Sequence, residues 1–370
     1  MFDFIPILLY EPIFNVFILL MVMWVVFLCQ RGIIFNEKIV SINSLLFIFI
    51  AVAIILYMGM RNPTTSIFGD TPNYYKNFMK IRGKGTPFSF TLGGEWVFNN
   101  LMNYFARYSD IKTFFTLCAA IYVGSLWLAM RRIFGNYNFI AFIVVCSMFT
   151  FWAYGVNGIR NGMGASVFIL AMTFANTPVI MVALVVLALG MHNSIWIMVV
   201  AACLSWLYNS SQVYIGVWVA CLLFSFFAGG IVQNYLVTFD FISSTDRYGN
   251  YLTSTEYATG FRFDFILYSA MGVIAGYYFI FRREMEDEYY KWIYNIYLLC
   301  NAFWILIIRS SYTNRFAQIS WFILPIVLIY PFLKQRQWVN HEKMVGYAIL
   351  IFFAFTFITK TIPSIIVLVS

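Results

Sequence analysis

Residues 139–175 decide the fold, and they read FIAFIVVCSMFTFWAYGVNGIRNGMGASVFILAMTFA. Two apolar runs flank a polar island that holds Asn157, Arg160 and Asn161 at helical spacings of three and four, so one helix face carries all three. An arginine between apolar helices is costly unless it faces water or a ligand, which makes Arg160 a functional candidate. The alternative is an arginine that reaches lipid headgroups beside a glycine packing seam. The seam comprises Gly158, Gly162 and Gly164.

The apolar character extends along the whole chain. Of its 370 residues, 62% are hydrophobic and 10% are charged, and the mean hydropathy is +0.81. Soluble proteins average about 25% charged residues. The apolar runs are long and do not alternate, which favours helices over a β-barrel. The sequence therefore predicts an all-α polytopic integral membrane protein, with one transmembrane domain over residues 1–370 and roughly 10–12 transmembrane helices.

Basic residues cluster in the short loops between apolar segments. Lys and Arg in such loops face the cytoplasm, so we expect this side to be cytoplasmic. The net charge of +8 then reflects membrane topology and does not indicate a nucleic-acid partner. The long segment 61–112 also holds seven Lys and Arg residues, but long loops carry less topological weight. The clusters are Arg31 with Lys38, Arg131 with Arg132, Arg282 and Arg283 with Lys291, and Lys334 with Arg336.

Two longer segments, 61–112 and 233–262, fall on the opposite, external side in this topology. The first contains Trp96–Tyr108, whose apolar and aromatic spacing predicts a helix lying in the membrane interface. Tyrosines beside charged and amide side chains are suited to binding sugars, but they are also common in interfacial belts. The sugar-binding candidates in these segments are Tyr74, Arg247 and Tyr248.

Arginines recur on the predicted external side. A guanidinium binds phosphate oxygens bidentately and stays charged, so several that converge indicate a phosphate or diphosphate site. For the pair in 309–315, the alternative is contact with lipid headgroups. The diphosphate-binding candidates are Arg160, Arg309, Arg315 and Arg61, and the neighbouring substrate-binding candidates are Asn157, Asn161, Tyr312 and Asn314.

Three residues on the same side are candidates for acid–base chemistry. His192 could act as a general base or as a diphosphate ligand, or it could be a structural histidine at a helix end. Asp70 is a second base candidate, and its alternative role is to form a turn before Thr71 and Pro72. Glu95 is the third, and it could instead cap the helix that follows it.

The sequence gives no indication of a metal or a cofactor. It has only two histidines, and its six cysteines lie within apolar stretches without the spacing of metal ligands. No P-loop, GxSxG, HExxH or Rossmann glycine pattern occurs. A histidine-rich metal site is therefore excluded, whereas a carboxylate site stays open, although Asp70 and Glu95 lack the spacing of a DxD pair. If guanidinium groups neutralise a diphosphate, the chemistry is metal-independent and needs no cofactor.

Four segments in order resemble the EpsG-like family of Wzy-type bacterial polysaccharide polymerases. They are Gly69-Asp70 with Tyr74-Tyr75, Asn157 to Gly162, His192-Asn193-Ser194, and Arg309 with Asn314-Arg315-Phe316. Asn161 and Met163 depart from the family, which more often has glutamine and alanine there. The resemblance implies a GT-C-like glycosyltransferase bundle in the bacterial cytoplasmic membrane, with its active site facing the periplasm or exterior. It also implies undecaprenyl-diphosphate-linked oligosaccharides as substrates, and a flippase and a chain-length regulator as partners beside the membrane lipids.

Other functions share parts of this pattern. An O-antigen-type ligase would use the same donor chemistry, so the sequence does not separate it from a polymerase of capsule, O-antigen or exopolysaccharide. A transporter of the lipid-linked oligosaccharide would need charged residues near the membrane midplane and internal repeats. A membrane acyltransferase would need a more central histidine in a pocket facing the cytoplasm. The charges cluster at one side and no repeat is evident, which favours glycosyl transfer.

Overall fold

A computed structural model gives the structure of the chain, and the regular secondary structure of the residues that it describes is helical. The structure describes residues 2, 4–84, 88, 94–237, 260–310 and 313–369, and no strand occurs among them. In this part of the chain, seven helices are long and apolar enough to cross a membrane, and three apolar helices are shorter. The predicted all-α polytopic membrane fold is therefore confirmed. The predicted count of roughly 10–12 spans stays a prediction, since seven described helices reach the length of a full span and the three apolar helices beside them are shorter.

The helices of the described residues are numbered in chain order. They are α1 (Tyr10–Gln30), α2 (Glu37–Gly59), α3 (Thr71–Ile81), α4 (Trp96–Tyr108), α5 (Ile111–Phe134), α6 (Asn138–Cys146), α7 (Phe151–Val156), α8 (Ile159–Met172), α9 (Pro178–Met191), α10 (Ile195–Leu207), α11 (Ser211–Val237), α12 (Phe263–Tyr277), α13 (Glu288–Leu306), α14 (Thr313–Trp321), α15 (Leu324–Lys334), α16 (His341–Thr356) and α17 (Ile362–Val369). The shorter apolar helices are α8, α9 and α10.

The chain forms two compact units. The first comprises Met1–Ile195 and Phe332–Ser370, and the second comprises Trp196–Pro331. The prediction of one transmembrane domain over residues 1–370 stays a prediction.

The first unit is built around α5, which packs against α2, α6 and α8, while α8 also packs against α9 and α1 against α16. Asp110 begins α5, because its carboxylate accepts the backbone N–H groups of Lys112 at 2.8 Å and Thr113 at 3.0 Å. The hydrogen bond from the Thr113 hydroxyl contributes most to lowering the pKa of Asp110. With 24 residues, α5 is about 36 Å long, so its two ends mark opposite ends of the unit.

One end of the first unit is basic. Arg132, near the end of α5, donates from Nε to the Thr173 hydroxyl at 2.9 Å, which joins it to the end of α8. The Arg336 guanidinium lies over the ring of Phe35 at 5.1 Å, and Lys334 lies over an aromatic ring of the last turn of α5. We call this the basic end, and it brings together three of the loops in which the sequence places basic clusters.

The opposite end of the same unit is polar. The residues after α2, the first turn of α5, the break between α7 and α8, and the end of α9 meet there, as the contacts given below demonstrate. We call it the polar end, and it carries Arg61, Asp70, Glu95, Arg160 and His192.

The second unit is built around α13, which packs along α11. Trp321 donates from its indole nitrogen to the Ser269 hydroxyl at 2.7 Å, which ties α14 to α12. Asp287 caps α13 by accepting the backbone N–H of Tyr290 at 2.9 Å, and its other oxygen accepts the Tyr330 hydroxyl at 2.8 Å. These bonds satisfy polar groups that would otherwise be buried between helices.

The two predicted loop segments are described unequally. In 61–112, the predicted helix Trp96–Tyr108 is confirmed as α4, and it buries Phe98 and Met102 while Tyr104 and Tyr108 are exposed. The position of α4 in a membrane interface stays a prediction. Residues 238–259, the greater part of the second predicted loop, lie outside the described residues.

Candidate functional site

The centre of the polar end is the break between α7 and α8, at Asn157 and Gly158. The missing side chain of Gly162 makes this break possible, because a Cβ there would lie 2.5 Å from the backbone oxygen of Tyr154. The end of α7 can therefore pack directly on the first turn of α8. As a result, Arg160 starts a helix at the polar end instead of lying in the middle of one.

Arg160 is held on two edges of its guanidinium. Nη1 donates to Oε2 of Glu95, and Nε donates to the Tyr74 hydroxyl at 3.4 Å. The rings of Tyr74 and Phe98 lie 5.5 and 5.7 Å from the guanidinium carbon. Burial raises the pKa of Tyr74, so its hydroxyl stays neutral and can accept from the arginine. Nη2 makes no hydrogen bond to any residue that the structure describes, and the side chain is 18% exposed.

Glu95 reaches Arg160 because α4 approaches α9 closely. A Cβ on Gly190 would lie 2.5 Å from Val97 and 2.7 Å from the indole nitrogen of Trp96, so only glycine permits this crossing. The Glu95 carboxylate makes no cap bond to α4, which was its alternative role. Instead, Oε2 binds Arg160, and Oε1 lies 3.6 Å from Nδ1 of His192.

His192 ends α9 and belongs to a turn that is tied to α8. Its Nδ1 accepts the backbone N–H of Ser194 at 3.1 Å. The Ser194 hydroxyl donates to Oδ1 of Asn161 at 3.1 Å, and Nδ2 of Asn161 donates to the Tyr154 hydroxyl at 3.1 Å. Asn161, predicted to bind substrate, is buried and connects three parts of the framework in this structure.

Asp70 is placed by a glycine and an amide. Gly69 has φ +61°, a conformation that side-chain-bearing residues rarely adopt, and a Cβ there would lie 2.3 Å from the side chain of Asn157. Oδ1 of Asn157 accepts the backbone N–H of Asp70 at 2.7 Å. The Asp70 carboxylate does not cap α3 and accepts no hydrogen bond from the described residues. Tyr74, which binds Arg160, lies four residues further along, on the same side of α3.

Arg61 differs from its prediction as a diphosphate ligand. Its side chain is fully buried, with Nη1 bonded to the Met58 oxygen at 2.6 Å, Nη2 to the Val156 oxygen at 3.0 Å, and Nε to the Thr71 hydroxyl at 3.1 Å. Phe115 of α5 covers one face of the guanidinium at 4.1 Å. Burial lowers the pKa of Arg61 to about 10, which leaves it charged near neutral pH. Arg61 therefore joins α2, α3 and α7 and has no access to a ligand in this structure.

Comparison with known proteins decides the family. The family model described as the EpsG family matches residues 44–366, which include every polar-end residue named above. The chain belongs to the EpsG family. Neither the curated proteins nor the solved structures contain a match to it. Membership of the EpsG family indicates a polysaccharide-polymerase-like, glycosyltransferase-like role, and the apolar helices indicate a multi-pass membrane protein.

The remaining candidates of this EpsG-family chain lie in the second unit or outside the described residues. Arg309 and Arg315 are exposed in the second unit, as is Asn314, and Arg309 donates to the Phe226 backbone oxygen at 3.4 Å. Their assignment to a diphosphate site stays a prediction. No group of three potential metal ligands occurs in the described ranges. Arg247, Tyr248 and Tyr312 lie outside the described residues.

Two residues of the EpsG-family site are missing from the predicted set. Gly190 allows α4 to approach α9, and Phe98 provides one of the two rings beside Arg160. Gly190 precedes the candidate His192 by two residues, so its position beside a functional residue was the available signal. Phe98 resembles any apolar residue of an amphipathic helix, and no sequence pattern distinguishes it.

Proposed function

We propose that the protein polymerises oligosaccharide repeat units carried on undecaprenyl diphosphate, by glycosyl transfer at its polar end. The observation that carries this proposal is the way in which the Arg160 guanidinium is hydrogen-bonded and partly buried. Two edges of its guanidinium are fixed by Glu95 and Tyr74, while the Nη2 edge has no partner among the described residues. A partly buried, oriented guanidinium with unused N–H groups is suited to bind a phosphate oxygen.

The chemistry follows from the leaving group. When the sugar leaves its carrier, negative charge develops on the lipid diphosphate, and a fixed guanidinium that stabilises this charge supplies the main catalytic effect. Guanidinium charge would serve here without a metal ion. A carboxylate or imidazole must also remove the proton of the acceptor hydroxyl. Asp70 and His192 lie at the same end as Arg160 and provide candidates for that role.

The position of the basic end supports an assignment of the membrane side that the active site faces. Arg132, Lys334 and Arg336 lie at the end of the unit opposite Arg160. Because basic residues of short loops face the cytoplasm, we assign the basic end to the cytoplasmic side of the bacterial membrane and the polar end to the outer side. A flippase that delivers the repeat units and a chain-length regulator are the partners that such a reaction calls for.

Reconstitution tests the proposal. We expect the purified protein, given lipid-linked repeat units extracted from a polymerase-deficient host, to produce a ladder of glycans. Arg160→Lys should abolish the ladder, because an ammonium group cannot bond to Glu95, to Tyr74 and to a phosphate with the same planar geometry. Arg107→Lys is the matched control, since Arg107 lies on α4 over the exposed ring of Tyr108.

The outcomes separate the alternatives. A normal ladder from Arg160→Lys at the wild-type protein level would overturn the proposal. Addition of a single glycan to one acceptor, without a ladder, would identify a ligase. Movement of lipid-linked oligosaccharide across vesicles without a new glycosidic bond would identify a transporter.

A further inference from the structure

Three side chains at the polar end could act as the base in glycosyl transfer: Asp70, Glu95 and His192. All three lie at the end that carries Arg160, so their position does not show which of them is the base. Their hydrogen-bond partners distinguish the three.

The Glu95 carboxylate already binds Arg160. Oε2 binds Nη1 of Arg160, and Oε1 faces the ring of His192 at 3.6 Å. If the Glu95 carboxylate took a proton from a sugar hydroxyl, it would lose the negative charge that holds the Arg160 guanidinium at the moment when charge develops on the leaving group. Its contacts therefore suit a residue that positions Arg160, not one that accepts a proton.

The hydrogen-bond partners of His192 determine which of its ring nitrogens can accept a proton. A backbone N–H is always a donor, so Nδ1 must present its lone pair to Ser194, which lies 3.1 Å away. The 3.6 Å separation between Nδ1 and Glu95 is too long for a hydrogen bond and does not change this assignment. In the neutral ring the proton is then on Nε2. Through Nε2–H the neutral ring can donate a hydrogen bond but cannot accept a proton, and donation is what a departing diphosphate requires.

Asp70 has the features that a base requires. Its backbone is fixed by Asn157 at 2.7 Å, and the positive φ of Gly69 aims the chain into α3. Its carboxylate accepts no hydrogen bond from the described residues, so its oxygens are not committed to the framework. Tyr74, one turn further along α3, bonds to Nε of Arg160, which puts Asp70 on the side of α3 that faces the arginine.

We infer that Asp70 is the general base, that Glu95 is a positioning residue for Arg160, and that His192 donates from Nε2 to the leaving diphosphate. This inference rests on the proposed function. In the step, the acceptor oxygen forms a bond to the anomeric carbon and its proton passes to Asp70. The bond between that carbon and the diphosphate oxygen breaks, and the lipid diphosphate leaves with the electron pair.

The test separates binding from chemistry in the purified full-length protein. Binding is measured with geranylgeranyl diphosphate as the probe, and turnover is measured as the initial rate of glycan ladder formation. Asp70→Asn should slow turnover by about 10²–10⁴-fold, the usual contribution of a general base, and leave the probe Kd within about twofold. Asp70→Glu should restore part of the rate, because it returns a carboxylate. Glu95→Gln should weaken probe binding and turnover by similar factors, since it acts through Arg160.

Two substitutions of the histidine test its role as a donor. Glutamine places an amide N–H near the position of Nε2, whereas asparagine keeps only a group near Nδ1. A hydrogen bond to a charged group contributes about tenfold to a hundredfold, so His192→Gln should turn over faster than His192→Asn by a factor in that range. A base at His192 would be lost equally in both variants.

Each outcome is decisive. Unchanged probe binding in Arg160→Ala would overturn the proposed function itself. Loss of binding in Arg160→Ala with normal turnover in Asp70→Asn would leave that function standing and overturn the assignment of the base. Turnover that is lost in Glu95→Gln while the probe Kd stays unchanged would make Glu95 the base in place of Asp70. Thermal unfolding of each variant in detergent identifies any that fail to fold, and Asp70→Ala, which also removes the carboxylate, then replaces Asp70→Asn in the comparison.

Discussion

Gly69 offers a way to separate activity from stability, because the chain contains a glycine in nearly the same conformation elsewhere. Gly69 has φ 61° and ψ −117°, and Gly135, after α5, has φ 56° and ψ −121°. A Cβ on Gly69 would lie 2.3 Å from the side chain of Asn157, whereas a Cβ on Gly135 would have no atom within 4 Å. Both Gly69→Ala and Gly135→Ala therefore strain the backbone, but only Gly69→Ala also places its new methyl group against a neighbouring side chain.

The shared cost is backbone strain, on the order of 1–3 kcal/mol for each variant. The additional cost at Gly69 is small, because Asn157 is exposed and its amide can turn away from the new methyl group. What is lost is the hydrogen bond from the Asp70 backbone, which contributes about 1 kcal/mol. We expect the unfolding midpoints of the two variants to lie within about 4 °C of each other.

Activity should differ far more than stability. Without Asn157, the backbone of Asp70 loses its anchor, and a displacement of about 1 Å in a reacting group can cost about 100-fold in rate. We expect Gly69→Ala to lose about that factor in ladder formation, while Gly135→Ala retains the wild-type rate. Equal rates in the two folded variants would refute the reasoning. So would a much lower unfolding midpoint for Gly69→Ala, since that would mean that Asn157 cannot move aside.

The first unit supplies two further predictions. Gly162→Ala should destabilise the protein by about 1–3 kcal/mol, because its Cβ would meet the backbone oxygen of Tyr154, which cannot rotate away. Gly124→Ala on α5 meets nothing within 4 Å, so its unfolding midpoint should not fall, and equal midpoints for the two would contradict the close packing of α7 on α8. For orientation, an impermeant maleimide should label Thr64→Cys at the polar end in intact cells, and Asn136→Cys at the basic end only after permeabilisation. The reverse pattern would invert the proposed topology, and the unsubstituted chain provides the background from its native cysteines.

Much of the fold and part of the site could be predicted from the sequence, because composition and loop charge are local properties. The long apolar runs predict the helices, and the polar island identifies Arg160. The expectation that one helix face carries Asn157 together with Arg160 and Asn161 is wrong, because Asn157 lies at the break before α8. The structure brings Glu95 and His192 to that arginine, although they are far from it in the chain.

Individual roles could not be predicted in the same way, because they depend on burial and on partners. Arg61 follows an apolar helix and has the same sequence context as an exposed arginine, but three acceptors and the ring of Phe115 enclose it. Asn161 is adjacent to Arg160, but its amide is used by Ser194 and Tyr154. Sequence spacing indicates which residues can share a face, and only the packing of other helices decides which of them a ligand can reach.

The shortness of α8 has a consequence for how deep the reaction occurs. Its 14 residues span about 21 Å, from Arg160 to the contact between Thr173 and Arg132, whereas the hydrocarbon layer of a bilayer is about 30 Å thick. If Arg132 lies at the level of the inner headgroups, the guanidinium of Arg160 lies several ångströms below the outer ones. The lipid carrier would then have to place its pyrophosphate below the membrane surface, with its first isoprene units bent aside between the helices. A thinner bilayer would reduce this displacement.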